Sequence, residues 1–416
     1  MVELIPSDTM CGRLRVRRSD LVRPLTCAHL CPLVQGESME APALTPDTGV
    51  TAEMVGRSVR FESRRYQPTD SYADIACDKI RRGSEVLGAS ESEQRSRLAL
   101  VRELFGAWGE LPAGNPPERA CWVAIDGMPF EVSFAWVDGR SELRLSFENP
   151  SHPGTPLARQ EDGRAFTRSL ADRPGVPIER YLAVEDLFTD GDPRGYFSFF
   201  HGVAWRQGGD PLHKIYLNPA VAGREHAAAR TQEAMIRLGM ERPWRALADH
   251  LGGVHGIAHE PVGLALDLSD AREARCKVYL AHTEVTADEV DARAAIARDH
   301  VPGSFARALE RVTGHRESGW QKPPVTCWGF DFAQDVPSAT LYVPLIPGHG
   351  DDAIAHDRVA AFMREENMDP APYTAALHAL SDGPPTESST QNFLSYRGGP
   401  SPRFAVYLAP GTYRPA

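Results

Sequence analysis

Short stretches of this chain alternate apolar and polar residues at a period of two, and the alternation returns five times. His213-Lys214-Ile215-Tyr216-Leu217-Asn218-Pro219, Cys276-Lys277-Val278-Tyr279-Leu280-Ala281-His282, Thr340-Leu341-Tyr342-Val343-Pro344 and Arg403-Phe404-Ala405-Val406-Tyr407-Leu408 are copies of one pattern. Their tyrosines, Tyr216, Tyr279, Tyr342 and Tyr407, recur every 63 to 65 residues. Arg144-Leu145-Ser146-Phe147-Glu148 is a weaker copy upstream. A period of two gives a strand two unlike faces. Here one face carries Ile, Val, Leu and Phe, and the other Lys, Arg, Tyr and Asn.

Each copy is predicted to be the return strand of a hairpin. The outgoing strands are Phe130–Val137, Ser198–Arg206, Pro261–Leu268, Val325–Phe332 and Gln391–Tyr396. Turn-forming residues stand between, such as Asp138-Gly139, Gly208-Gly209-Asp210 and Gly398-Gly399-Pro400. Between hairpins the apolar spacing changes to three and four, which predicts helices over Ala89–Trp108, Arg224–Leu251, Ala287–Val312 and Asp357–Leu380. Pro243 and Pro302 are expected to break two of these into pairs.

Five hairpins give ten antiparallel strands. The helices must cover an apolar surface, and the Ile/Val/Leu/Phe face is the one that qualifies. The expected fold class is therefore α+β: a closed ten-stranded antiparallel β-barrel of five helix–strand–strand–helix repeats, with helices ringing the outside. A ten-stranded barrel is wide enough to hold a ligand. The alternative is an open sheet whose polar face meets solvent. Because a single repeat cannot bury its own apolar face, residues 51–416 read as one domain. Residues 1–50 read as a flexible N-terminal extension, rich in arginine and proline and without a period. Met39 offers an alternative start, and no apolar signal-peptide core is read. Cys27-Ala28-His29-Leu30-Cys31 has metal-like residues but no second half-site.

The polar face carries the candidate chemistry. Arg144, Lys214, Arg275, Lys277 and Arg403 fall on the inward parity, and several cations in one barrel call for an anion among them. Diphosphate is compact, multiply charged, and suited to arginine forks and lysine point charges. Tyr216, Tyr279, Tyr342 and Tyr407 would place a ring of aromatic faces beside the cations. Such faces stabilise a carbocation by roughly 2 kcal/mol each when desolvated. In Pro129-Phe130-Glu131-Val132-Ser133 the apolar neighbours face the helices, so Glu131 faces the cavity. It either pairs with Arg144 across the hairpin or accepts an N–H or O–H from an aromatic substrate. His201 is read on the inward parity with Val203 and Trp205, as a proton acceptor or a buried structural histidine. Asp351-Asp352 begins like a magnesium-binding Asp-Asp-x-x-Asp box, but position 355 is Ala. Lys and Arg are therefore expected to neutralise the anion, with no metal cofactor.

The formal net charge of −11 argues against a general nucleic-acid partner, and no window has the apolar length of a membrane helix. Seven cysteines, scattered and odd in number, fit a reducing cytoplasmic setting better than a disulfide framework. A monomer or homodimer is expected.

Over roughly residues 55–416 these features resemble the fungal-type indole prenyltransferases, the dimethylallyltryptophan synthase family with the ABBA barrel. In that resemblance Glu131 matches the acceptor of the indole N–H. Arg144, Lys214, Arg275, Lys277 and Arg403 match the diphosphate ligands. Tyr216, Tyr279, Tyr342 and Tyr407 match the tyrosine shield, with Tyr413 a competing match. Trp122, Val123 and Glu131 are expected to contact the acceptor. The short loops and Ala/Arg-rich composition look like the bacterial branch, which implies L-tryptophan as acceptor and dimethylallyl diphosphate as donor. Fungal four-position enzymes carry a lysine where His201 is read. That departure favours another ring position, with C6 preferred and N1 or C5 as alternatives. An indole-containing cyclic dipeptide, a phenolic acceptor, and a non-catalytic binder of an anionic lipid remain competing readings.

Overall fold

The computed structural model describes residues 58–137, 139–254, 259–399 and 402–416. The expected extension over residues 1–50, with its Cys27-to-Cys31 group, lies outside the described residues. A two-stranded ribbon of β1 (Val59–Phe61) and β12 (Tyr413–Pro415) joins the two ends of the described chain.

The hairpins are β2 (Phe130–Val137) with β3 (Arg140–Phe147), β4 (Phe199–Arg206) with β5 (Leu212–Leu217), and β6 (Glu260–Asp267) with β7 (Cys276–Ala281). They continue with β8 (Val325–Asp331) and β9 (Gln334–Pro344), then β10 (Gln391–Arg397) and β11 (Arg403–Leu408). Each strand pairs antiparallel with the next. β11 pairs with β2 and β9 with β10, so the ten strands close a barrel in the order β10-β11-β2-β3-β4-β5-β6-β7-β8-β9. Closure leaves no open edge in this sheet.

The longer helices cover its outside. They are α1 (Tyr72–Val86), α2 (Glu91–Gly109), α3 (Pro156–Ser169), α4 (Arg224–Arg237), α5 (Glu241–His250), α6 (Ala287–Arg293), α7 (Ser304–Thr313), α8 (Asp352–Glu365) and α9 (Ala371–Leu380). Capping boxes start three of them: Ser71 with Asp74, Ser90 with Glu93, and Thr286 with Glu289. Pro302 stands just before α7, as expected. The α4–α5 break falls instead at Gly239 (φ 72°), and Pro243 sits in the first turn of α5, where its missing N–H costs little. The stretch expected as one helix over Asp357–Leu380 is also broken, at Asn367 (φ 58°).

The apolar parity of the strands faces these helices. Phe130, Val132, Phe134, Leu143, Leu145, Ile215, Leu217, Leu264, Leu266, Val278 and Leu280 are buried in one continuous core. Close helix approach depends on small residues: a Cβ on Gly163 of α3 would lie 2.7 Å from the Cβ of Phe199. Among the described residues no helix is long and apolar enough to cross a membrane. The opposite parity is left to line the lumen.

Candidate active site

Residues directly opposite in an antiparallel pair share a face, so the register fixes the lining. Ser133 lies opposite both Arg144 and Tyr407, Lys214 opposite Gly202 and Asp267, and Lys277 opposite Ala265 and Gly329. Arg403 lies opposite Arg397. All five expected cations thus stand on one parity with the four tyrosines. Within their hairpins the outgoing strands set small residues across from Arg144, Lys214 and Lys277, namely Ser133, Gly202 and Ala265, which leaves room in the lumen.

The cations are held by carboxylates that the sequence reading did not single out. Asp267 accepts from Arg275 Nε at 2.9 Å and lies 3.5 Å from Lys214 Nζ and 3.8 Å from Lys277 Nζ. Burial alone would raise its pKa, but these three cations hold it well below the usual range. Burial, with Lys277 beside it, pushes Lys214 well below the ordinary lysine value. Glu142 binds Arg144 through Nε at 2.9 Å and Nη2 at 2.6 Å. That pair answers the Glu131–Arg144 alternative: Arg144 takes its carboxylate from its own strand. Arg397, a further lumen cation, donates to Ser338 Oγ at 3.0 Å and Thr340 Oγ1 at 2.9 Å.

The tyrosines form a run of contacts around the wall. Ring centroids are 6.2 Å apart for Tyr216–Tyr279, 5.7 Å for Tyr279–Tyr342 and 5.4 Å for Tyr342–Tyr407. The Tyr342 and Tyr407 hydroxyls share a hydrogen bond of 2.9 Å. Burial raises the pKa of all four, so each presents a neutral phenol. Tyr413 does not compete for a place here. It lies in β12, outside the barrel, with its hydroxyl 2.8 Å from that of Tyr72.

Glu131 stands two residues from Ser133 on β2, one step along the lumen from the cations. It is buried, which pushes its carboxyl up to about 8, partly offset by Asn392 and Lys322. Its Oε1 accepts from Asn392 Nδ2 at 2.7 Å. Trp122 stacks on Phe197 at 5.3 Å and on Phe200 at 5.6 Å, and Phe200 reaches Tyr216 at 6.4 Å. An aromatic wall therefore runs from Trp122 into the tyrosine ring. Val123 is buried in the apolar core.

His201 does not belong to this lining. It pairs with Ile215 and Phe147, both on the helix side of the barrel, while Gly202 occupies the lumen position beside Lys214. Its Nε2 bonds Thr167 Oγ1 of α3 at 2.8 Å, and Phe166 covers its ring. Burial lowers its pKa to about 3, so it stays neutral. Val203 and Trp205, which share its parity, are apolar and face the helices too.

Two cavities are distinct in content. The lumen void, bounded by Ser133, Arg144, Lys214, Tyr216, Lys277 and Tyr407, is about 20 Å³. A larger one of about 700 Å³ lies outside the barrel wall between α2 and α3, floored by Phe147 and His201. The larger cavity contains none of the lumen cations or tyrosines. The chemistry is concentrated in the smaller space, into whose cross-section long Lys and Arg side chains project.

A family model described as tryptophan dimethylallyltransferase matches residues 87–374 of the 416. The chain belongs to the tryptophan dimethylallyltransferase family. It is a prenyltransferase, and the structures similar to it include bacterial enzymes. The 6-dimethylallyltryptophan synthase of Micromonospora olivasterospora, solved with DMASPP and Trp, is 30% identical, with a TM-score of 0.75 over 83% of this chain and 99% of that one. The 5-dimethylallyltryptophan synthase of Streptomyces coelicolor is 25% identical, with a TM-score of 0.74 over 82% and 98%. AnaPT from Neosartorya fischeri shares the fold at 15% identity and a TM-score of 0.63. The family's prenyltransferase barrel is the closed barrel described above.

Proposed function

We propose that this enzyme moves a dimethylallyl group from dimethylallyl diphosphate to C6 of the indole ring of L-tryptophan, without a metal ion. The observation that carries the reading is the shared lumen face: Glu131 and the cations stand on the inward parity of one closed barrel, and Arg144, Lys214 and Lys277 line its void together with the four tyrosines. Lys214, Lys277, Arg275, Arg144 and Arg403 take up the diphosphate. In doing so Lys214, Lys277 and Arg275 exchange Asp267 for phosphate oxygens, and Arg144 exchanges Glu142. The bond between the allylic carbon and oxygen breaks, and its electron pair leaves on diphosphate. Preorganised cations stabilise that growing charge. The phenol faces of Tyr216, Tyr279, Tyr342 and Tyr407 shield the allyl cation from water.

Glu131 accepts the indole N–H and so pushes electron density into the ring. The ring attacks the cation, a carbon–carbon bond forms, and a proton leaves the alkylated carbon. Glu131 is the proton acceptor in this scheme, since His201 lies behind the barrel wall. The C6 preference rests on likeness to the Micromonospora enzyme, because a histidine outside the lumen says nothing about ring position.

The test is diphosphate release with and without L-tryptophan, followed by NMR of the product. Release that requires L-tryptophan, with a dimethylallyl group on C6, is the expected result. A product substituted at N1 or C5 would correct the position alone. Release only with a phenol or an indole dipeptide, or no release with any acceptor, would overturn the reading.

A further inference from the structure

A buried carboxylate ionises near neutral pH only with help from its neighbours, and the groups behind Glu131 supply it. Asn392 reaches Glu131 because β10 bulges there. Gln391 pairs with Leu408 and Phe393 with Tyr407, which leaves Asn392 opposite no residue and frees its amide from the strand's alternation. The other end of that amide, Oδ1, accepts from Lys322 Nζ. Lys322 also donates to the Asn392 carbonyl at 3.0 Å and the Ile346 carbonyl at 3.3 Å, and it lies 3.7 Å over the Phe393 ring. It is buried, at 7% exposure. An ammonium group donates and never accepts. Lys322 therefore dictates that the Asn392 oxygen turns toward it and the NH2 toward Glu131.

We propose that Lys322, acting through Asn392, is the positioning residue for Glu131. It supplies the carboxylate's counter-charge and ties up Oε1, leaving Oε2 for the acceptor N–H. The inference rests on the role proposed for Glu131 above. Other groups near the carboxylate are Asp126, from the turn before β2, whose charge opposes its ionisation, and the neutral Ser146 opposite it on β3. Burial lowers Lys322 to about 7, and the Glu131 charge works against that fall. Each charge thus supports the other. Without the ammonium group the Glu131 carboxyl rises further, so its anion forms only at higher pH. Activity should then fall at neutral pH and return as pH rises.

The test is kcat/KM for L-tryptophan against pH in the full chain, for Lys322→Met, Lys322→Arg and Glu131→Gln. Lys322→Met is expected to lose about tenfold or more at pH 7 and to move the acid limb up by about one unit or more. Lys322→Arg, which keeps the charge, should move it less. If Lys322→Met does not fold, Asn392→Ser breaks the same link from the other side and should shift the limb in the same direction. A profile that superimposes on the parent enzyme, or falls equally at every pH, overturns the proposal. In that event an inactive Glu131→Gln leaves the proposed reaction standing, whereas an active one overturns that reading as well.

Discussion

At the scale of single residues, alternation made the cations and tyrosines legible. Position within a period-two strand decides the face, and five cations on one parity are hard to explain except as a lining. The same rule reaches Glu142, Asp267 and Arg397, which share that parity. A search for groups that would bind an anion passes over the acids that hold those groups beforehand. Yet buried cations without a bound anion need counter-charges, and Asp267 is placed among three of them. Lys214 and Lys277 lie on neighbouring return strands and both face Asp267, so both should face one diphosphate. Changing either to Ala is expected to weaken the donor far more than L-tryptophan. Removing one charge-assisted contact should cost about 1.5–3 kcal/mol, roughly tenfold to more than a hundredfold in kcat/KM. Steady-state kinetics with each substrate varied in turn checks this. Variants that keep the donor KM and kcat but lose L-tryptophan binding would mean that inside and outside are reversed.

At the scale of elements, β3 and β9 begin four and six residues before the expected copies, at Arg140 and Gln334, but the other strand bounds were readable to within a residue or two, because turn residues and alternation agree. Two local features were not. The parity of β4 depends on which of its faces is apolar, and Phe199, Val203 and Trp205 mark the outer one. His201 goes with them, so its expected inward placement fails. The bulge at Asn392 breaks alternation, and Lys322 lies in a connection with no period at all, so neither residue carries a sequence signal for its position. The corrected placement has a consequence. His201→Gln, which can still bond Thr167, is expected to leave kcat within about twofold of the parent, since a neutral side chain behind the wall stabilises no transition state. Loss of a hundredfold in kcat with an unchanged melting temperature would place His201 back in the reaction.

At the scale of the whole molecule, five-fold repetition is what turns weak local signals into a site. One Lys-x-Tyr strand is unremarkable, whereas successive copies around a closed barrel bring their polar faces to a common axis. The break in α2 at Gly106 (φ 54°) and the large outer cavity beside it have no counterpart in the repeat pattern, and the sequence did not announce them. The abundance of lumen Lys and Arg leads to an expectation for the intact enzyme. They supply the charge that a bound magnesium ion would otherwise bring to diphosphate, so turnover should persist in excess EDTA. Complete loss of turnover, restored by magnesium, would remove the cation cluster from its proposed role.

The central claim is that the lumen carboxylate activates the indole acceptor. Glu131→Gln keeps the size and the Asn392 contact region but removes the charge. The direct measurement is kcat for this variant with L-tryptophan and dimethylallyl diphosphate, alongside its melting temperature. The account predicts a fold as stable as the parent and a kcat lower by about a hundredfold or more, the range for loss of one well-placed catalytic group. A variant with near-parental kcat would contradict it.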